Sequence, residues 1–591
     1  MRKHSAKKIS ASHHLLSRRE TIGLFGIAII LALLLYVRVM HGTYVFDDAF
    51  FSERMDLGSF GAFLKIWTQP YLPQNPIAGM YRPLPIASYV FTNALLGNTP
   101  FMHHIVSIVL HGIISALVVM FVRQMSGNRS LALLTGLLFL VLPIHTEAVA
   151  YLKARDEILE MLCALLSWIS GVAAIASDRL NMRLLWVSAL AFLGALLCKE
   201  FAIIVPVVVF MLYVLKTKDW KTMSLTRLAV PYATALAFYL VLRSIALGPG
   251  AFTGAENLSW TMNPLTDATF PTRILTGLSI AVIAIGKSII PWKLSATYSF
   301  NAIPIVLSPL QSWMPLIGLL LLLALLTLAL HRRTRSMPVG IGAAFFLIAY
   351  LPMSKFLFAK KMDMFGERWM YLPSLGLCVV IAAFLLMLLR RRKNLGIAVT
   401  SALLLFYAGV TIVRAAVWQS PESLYQSMTV SAPDAVVGWT NLAQLSMARH
   451  DFETAKDQIT RGLQITEYHP PLLQLVGLLA MGNRQYDIAE QAFQASQMLA
   501  PDDDLPYLYL GIIAAERGEY QAGLSTIFSR FHSFDSPPVR FVLSLLFFRM
   551  GQESEAETYM DWDTSDPEMR RIFLLPPVTT MEERRAILRG F

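Results

Sequence analysis

Twelve apolar runs of membrane-spanning length follow one another, near 21–39, 101–123, 131–150, 156–177, 183–198, 201–216, 228–247, 274–292, 313–331, 338–358, 370–390 and 395–415. A helix of roughly 20 apolar residues crosses the hydrocarbon core, and in lipid only helices and closed barrels satisfy their own backbone. The pattern therefore calls for an all-α, polytopic membrane domain of about eleven or twelve spans. A hydrophobic fraction of 55% and a mean hydropathy of +0.54 over 591 residues exclude an ordinary soluble protein. Much of the net charge of +11 sits in short connectors such as "RQMSGNRS", "KTKDWKTMSLTR", "HRRTRS" and "RRRKN", which belong in the cytoplasm. Cys163, Cys198 and Cys378 lie in or beside apolar runs and form neither a disulfide framework nor a metal-ligand spacing.

The first 20 residues are basic and precede "TIGLFGIAIILALLLYV", which lacks a small-residue cleavage site. The expectation is an uncleaved first span with residues 1–20 as a cytoplasmic tail. The first seven runs then place the basic connectors correctly. Parity fails afterwards, so the run near 274–292 is expected to dip in and return, or its boundaries lie elsewhere. Eleven full spans put the C-terminal region outside; twelve put it inside. The expected organisation is a membrane domain over 21–417 with an outer loop at 41–100, and a soluble domain over 418–591.

The soluble part repeats with a period of 34. Ala443, Gly477 and Gly511 keep that spacing, as do Phe452, Tyr486 and Tyr520, and Ala455, Ala489 and Gly523. Trp439, Leu473 and Tyr507 stand four residues before the first set. This is the tetratricopeptide pattern, in which large residues fill the space between paired helices and small ones let them approach. A degenerate unit around Gly551 and Ala556 is expected to cap the stack. Such stacks present a concave surface suited to extended peptide.

Polar residues concentrate at the connections expected outside. "FDD" places Asp47 and Asp48 just after the first span, and "MYRPLP" places Arg82 in the same loop. "HHIVSIVLH" carries His104 and His111 seven apart on one helix face. "LPIHTEAVAYLKARDEIL" gathers His145, Glu147, Lys153, Arg155, Asp156 and Glu157; "CKE" adds Lys199 and Glu200, and "GERW" adds Glu367 and Arg368. Taken singly, each has a bland reading, such as a helix end, an interfacial pair or a hydrogen-bonded core histidine. Together they mix acid and base at one face. A lipid-linked substrate with a phosphate head needs such a site. Cations hold the phosphate, a carboxylate takes the proton of an incoming hydroxyl, and the spans shelter the tail. Asp47, Asp48, His145 and Glu147 would hold a divalent metal if they converged, so a metal cofactor stays open.

In order and spacing these motifs, with "NPL…TRILTGL", "PWKLSATYSF", "LPMS", "ERWMYLPSLG" and the repeats, resemble the transmembrane-and-tetratricopeptide (TMTC-type) protein O-mannosyltransferases and their prokaryotic relatives, in the GT-C fold group. The resemblance covers most of the chain. Leu142 stands where the family pattern has His, Ser107 where it has Asn, and Ala154-Arg155-Asp156-Glu157 where it has Gly-Arg-Ala-Asp. The resemblance implies a GT-C-type membrane domain that transfers mannose, with inversion, from a polyprenyl-phosphate donor to a hydroxyl of a protein outside the cytoplasm. Asp47 or Asp48 would be the base. Arg82, His145, Arg155, Lys199 and Arg368 would meet the donor phosphate or sugar, supported by His104, His111, Glu147, Glu157, Glu200 and Glu367. The expected partners are the lipid-linked donor, the bilayer and a protein acceptor gripped by the repeats, with no nucleic acid. The expected place is a bacterial or archaeal cell membrane, or the endoplasmic reticulum of a eukaryote. Two other readings stay open. One is a transporter or flippase of lipid-linked sugar, which would hold its polar groups near the bilayer midplane. The other is a noncatalytic scaffold that displays the repeats.

Overall fold

The computed structural model describes residues 17–48, 60–71, 79–176, 180–216, 225–251, 263–356, 363–564, 566, 569, 572–573 and 580–590. Most of the basic tail and parts of the 41–100 and 248–273 loops lie outside the described residues. The chain divides into two compact units, Met1–Pro433 and Asp434–Phe591, each all-helical among the described residues.

The first unit contains α1 (Arg18–Leu35), α2 (Phe60–Lys65), α3 (Pro83–Leu96), α4 (Pro100–Ser126), α5 (Arg129–Val141), α6 (Thr146–Ala150), α7 (Arg155–Ala176) and α8 (Met182–Cys198). It continues with α9 (Val205–Lys216), α10 (Leu225–Leu247), α11 (Phe270–Ile289), α12 (Met314–Leu330), α13 (Pro338–Tyr350), α14 (Ser374–Arg391), α15 (Lys393–Val417) and α16 (Pro421–Ser431). Helix starts follow local chemistry. Ser17 and Glu20 form a reciprocal capping box on α1, and Pro100 opens α4 behind a Thr99 cap. Glycines set the tightest crossings. A Cβ on Gly112 of α4 would stand 2.7 Å from the Ile29 backbone of α1, and one on Gly376 of α14 would stand 2.5 Å from the Gly342 carbonyl of α13.

Among the described residues six helices, against the eleven or twelve spans expected, are long and apolar enough by themselves to cross a membrane: Pro100–Ser126, Leu152–Ala176, Leu225–Ala251, Phe270–Ile289, Ser374–Arg391 and Lys393–Val417. A bent pair, Arg129–Val141 with Pro143–Ala150, would make a seventh. The difference arises because an apolar run is not always one helix. Charges at Arg18, Arg19 and Glu20 shorten the apolar part of α1, Lys199 separates α8 from α9, and α12 and α13 have only 17 and 13 residues. The interruption expected near 274–292 is also displaced. That run is the unbroken helix α11, and the 51° bend falls at Leu142–Pro143. The segment after α11 does fold back, since the Val306 N–H donates to the Thr276 hydroxyl at 3.0 Å. With these helices the unit is that of a multi-pass integral membrane protein.

At one end of this unit Arg129 pairs with Glu20 at 3.4 Å, joining the start of α1 to the α4–α5 turn. At the other end the exits of α1 and α15 are clipped together. The Thr43 N–H donates to the Gln419 carbonyl at 2.8 Å, and the Gln419 side-chain amide donates to the Arg38 carbonyl at 2.6 Å.

The second unit contains α17 (Val436–Ala448), α18 (Phe452–Ile465), α19 (Pro470–Gly482), α20 (Tyr486–Leu499), α21 (Asp504–Arg517), α22 (Tyr520–Arg530), α23 (Pro537–Arg549), α24 (Glu553–Thr558) and α25 (Met581–Gly590). First helices start at 436, 470, 504 and 537, so the 34-residue period is a helical-hairpin period. Ala443, Ala455 and Ala489 are fully buried, and a Cβ on Gly477 would meet the Phe493 ring at 2.7 Å. Trp439, Leu473 and Tyr507 are half-buried; Arg461 lies over the Trp439 ring. Beyond the third pair, Phe541, Trp562 and Phe573 close the hydrophobic core of the stack.

Candidate active site

The clipped end of the first unit brings the acid and base residues into one neighbourhood. Its centre is the turn after α1. Phe46 adopts φ +49°, a left-handed conformation uncommon for a bulky residue. Its ring packs against Tyr151 and Tyr425. The two following carboxylates part company there. Asp48 turns inward and is 2% exposed; it accepts from the Lys153 N–H at 2.9 Å and the Val45 N–H at 3.3 Å. Asp47 keeps a side-chain exposure of 56%, accepts from the Tyr151 hydroxyl at 3.3 Å and pairs with Lys153.

Their electrostatics separate as well. Burial pushes the Asp48 carboxyl up to about 7, against the pull of the backbone donors from Lys153 and Val45. Burial acts on Asp47 in the same sense, but Lys153 and the Tyr151 hydroxyl, with Arg368 further off, outweigh it and hold the carboxyl below its ordinary value. Asp47 is thus a carboxylate that stays ionised and open to the outside of the protein.

Around it stand ion pairs made by local breaks in the helices. Pro143 stops α5, and the bend carries Glu147 to Arg368, whose N–H donates to Glu147 at 2.9 Å and whose guanidinium pairs with it. Arg82 sits in extended backbone before Pro83 at the start of α3. It bonds Asp156 at 2.8 Å and Glu200 at 3.0 Å. Lys199 ends α8 in extended backbone and forms a buried pair with Glu157. Glu367 is buried, accepts from the Ser295 N–H at 2.7 Å and from the Tyr298 hydroxyl, and is pushed up to about 7 by burial.

Three expected ligands of the donor are enclosed instead. Arg155 is fully buried; its nitrogens donate to the Ser107 and Thr92 hydroxyls and the His103 carbonyl, beneath the Tyr89 ring. His145 is fully buried between the Phe139 carbonyl and the Ser374 hydroxyl. Lys199 is 2% exposed. The cause is common: each lies where a helix break turns a side chain toward neighbouring helices, not toward the opening. Among the supporting residues, His111 bonds the Tyr371 hydroxyl at 2.7 Å and the Leu140 carbonyl at 3.1 Å, as a core histidine does. His104 is fully buried, and His103, not His104, meets Arg155. The four residues considered for a metal do not gather. Asp48 is spent on backbone amides, Glu147 on Arg368 and His145 on Ser374, and no metal-holding group of His, Cys, Asp or Glu occurs among the described residues.

No protein-family model matches the chain. Among curated proteins, Protein O-mannosyl-transferase TMTC4 of Homo sapiens is 28% identical over 460 residues, covering 68% of this chain and 61% of that protein. TMTC1 of Homo sapiens is 28% identical over 469 residues, covering 71% of this chain and 53% of that protein. The chain is similar to the TMTC protein O-mannosyl-transferases. It spans about 61% of the length of TMTC4 and less of TMTC1. Among solved structures, ArnT from Cupriavidus metallidurans bound to undecaprenyl phosphate aligns with 71% of this chain and 81% of its own at 17% identity, with a TM-score of only 0.33.

Beyond the TMTC-like motifs, the structure adds residues that sequence reasoning passed over. Arg243, in the apolar helix α10, bonds Glu200 at 3.3 Å and the Gly79 carbonyl at 2.6 Å. A charge inside an apolar run was the available signal. Asp156 and Lys153, two members of the charged string in the sequence, are the partners of Arg82 and Asp47. Trp418 stacks on Tyr151 at 5.5 Å from the far end of the membrane unit, a pairing that sequence distance conceals.

Proposed function

We propose that the protein is a membrane glycosyltransferase that moves a sugar, mannose by its similarity to the TMTC proteins, from a polyprenyl-phosphate donor to a Ser or Thr hydroxyl of a protein acceptor. The reaction takes place on the extracytoplasmic side. The observation that carries this reading is Asp47: an open, ionised carboxylate held by Tyr151 and Lys153 within electrostatic reach of Arg368.

In the reaction the acceptor oxygen bonds to the anomeric carbon while the carbon–phosphate-oxygen bond breaks. The hydroxyl proton goes to Asp47, and the leaving electron pair goes to the lipid phosphate. Attack opposite the leaving group inverts the anomeric centre. Arg368, 24% exposed at its side chain, neutralises the phosphate; Arg82, 15% exposed, is the second candidate. Asp48 holds the turn. Arg155, His145 and Lys199 position the helices that carry these groups. The repeats grip the acceptor chain.

Transfer of labelled mannose from polyprenyl-phosphate mannose to candidate peptides by the purified full chain tests the proposal. Native protein is expected to transfer and Asp47→Asn to lose at least about a hundredfold in turnover, the range for removal of a general base. Equal turnover by folded Asp47→Asn removes the mechanism.

A further inference from the structure

A groove of about 530 Å³ runs along α15, within the roughly 300–1,000 Å³ of small-molecule sites. Leu405, Phe406, Gly409 and Val413 line it with hydrocarbon, and its lining contains two cations, Lys293 and Arg414, and no carboxylate.

Arg414 is the unusual member. It is 6% exposed, and one nitrogen donates to the Ser427 hydroxyl at 2.9 Å. Its Nε and second terminal nitrogen are buried with no hydrogen-bond acceptor among the described residues. A buried guanidinium with idle donors is costly, and an anion relieves that cost. Glu367, whose charge Arg414 influences, is engaged instead by Ser295 and Tyr298. The guanidinium lies 6.0 Å from the Trp418 ring centroid; Trp418 stacks on Tyr151, and Tyr151 bonds Asp47. Arg414 in the groove's lining is therefore joined to Asp47 through two aromatic side chains.

We propose that the prenyl tail of the donor lipid lies in this groove and that Arg414, with Lys293, takes hold of its phosphate beside Arg368. The occupant is a polyprenyl phosphate, because an apolar groove lined by two cations, one of them a buried guanidinium with idle donors, and by no carboxylate matches a single hydrocarbon chain with an anionic head. This rests on the functional reading above, which it makes specific.

The test measures capture of a photoactivatable undecaprenyl phosphate by the full chain in nanodiscs. Arg414→Gln is expected to weaken capture at least about tenfold while capture of the phosphate-free undecaprenol is unchanged. Gly409→Phe is expected to weaken capture of both. A Cβ at Gly409 meets nothing within 4 Å, so the ring enters the groove without displacing backbone. Native-like capture by both variants, folded by size exclusion and melting, overturns the inference. So does equal displacement of the probe by phosphatidylglycerol, which would make the groove an ordinary lipid contact. If Arg414→Gln misfolds, Gly409→Phe decides. Sugar transfer by native protein together with native-like capture by the variants sinks the groove alone. Groove-dependent capture without any transfer supports the groove and sinks the functional reading.

Discussion

Asp47 and Asp48 are neighbours in sequence with opposite surroundings, and their substitutions should separate accordingly. Asp47→Asn is expected to lower turnover and leave donor capture and melting temperature near native. Asp48→Asn is expected to lower stability by about 1–3 kcal/mol, the cost of disturbing a buried acceptor that satisfies two backbone donors. A pH series adds a sign. Asp48 titrates at about 7 in the folded protein and near 3.8 otherwise, so between those values the folded state holds the extra proton. Its contribution to stability is present at low pH and declines as pH rises through about 7. Melting followed from pH 5 to 8 should fall more steeply in native protein than in Asp48→Asn; identical slopes would refute the assignment. The sequence singles the pair out as a candidate, because carboxylates after a span are costly. It could not say which residue faces out, since that depends on the left-handed turn at Phe46 and on Lys153, about a hundred residues away.

Helix breaks rather than helices build the site. Pro143, Pro83 and the extended Lys199 each end or start an element and aim a charge. These breaks were readable as residues but not as geometry, which is why the apolar runs outnumber the helices long enough to cross a membrane by themselves and why Arg155 and His145 looked available. The 34-residue period, by contrast, translated directly into paired helices, because a repeat is a local pattern that needs no distant partner. Crossing distances are the element-level weak point. Gly112→Ala should push α1 from α4, cost about 1–3 kcal/mol as overpacking does, and shift the turn that carries Asp47. The checks are melting temperature and turnover together. Unchanged values of both would mean that the crossing is free to adjust.

The two compact units predict a division of labour. Removing residues 434–591 should leave undecaprenyl phosphate capture intact and lower transfer to protein acceptors; loss of capture in a truncated chain that still melts cooperatively would contradict it. Sidedness is tested with cysteines at Asn98, Arg333 and Met498. The first and third should label from outside, and the second only after permeabilisation; labelling of Asn98 and Arg333 from one side would break the topology. The ion pairs have a wider consequence. Arg82 and Arg368, the cations proposed for the phosphate, each already hold a carboxylate. In the proposed cycle a phosphate that reaches Arg368 or Arg82 has to evict that internal rival, and the rival reclaims its cation when the spent lipid departs. On that reading the protein carries its own eluent. Glu147→Gln, which disarms the rival at Arg368, should make spent undecaprenyl phosphate linger and turn product release into the slow step of the cycle.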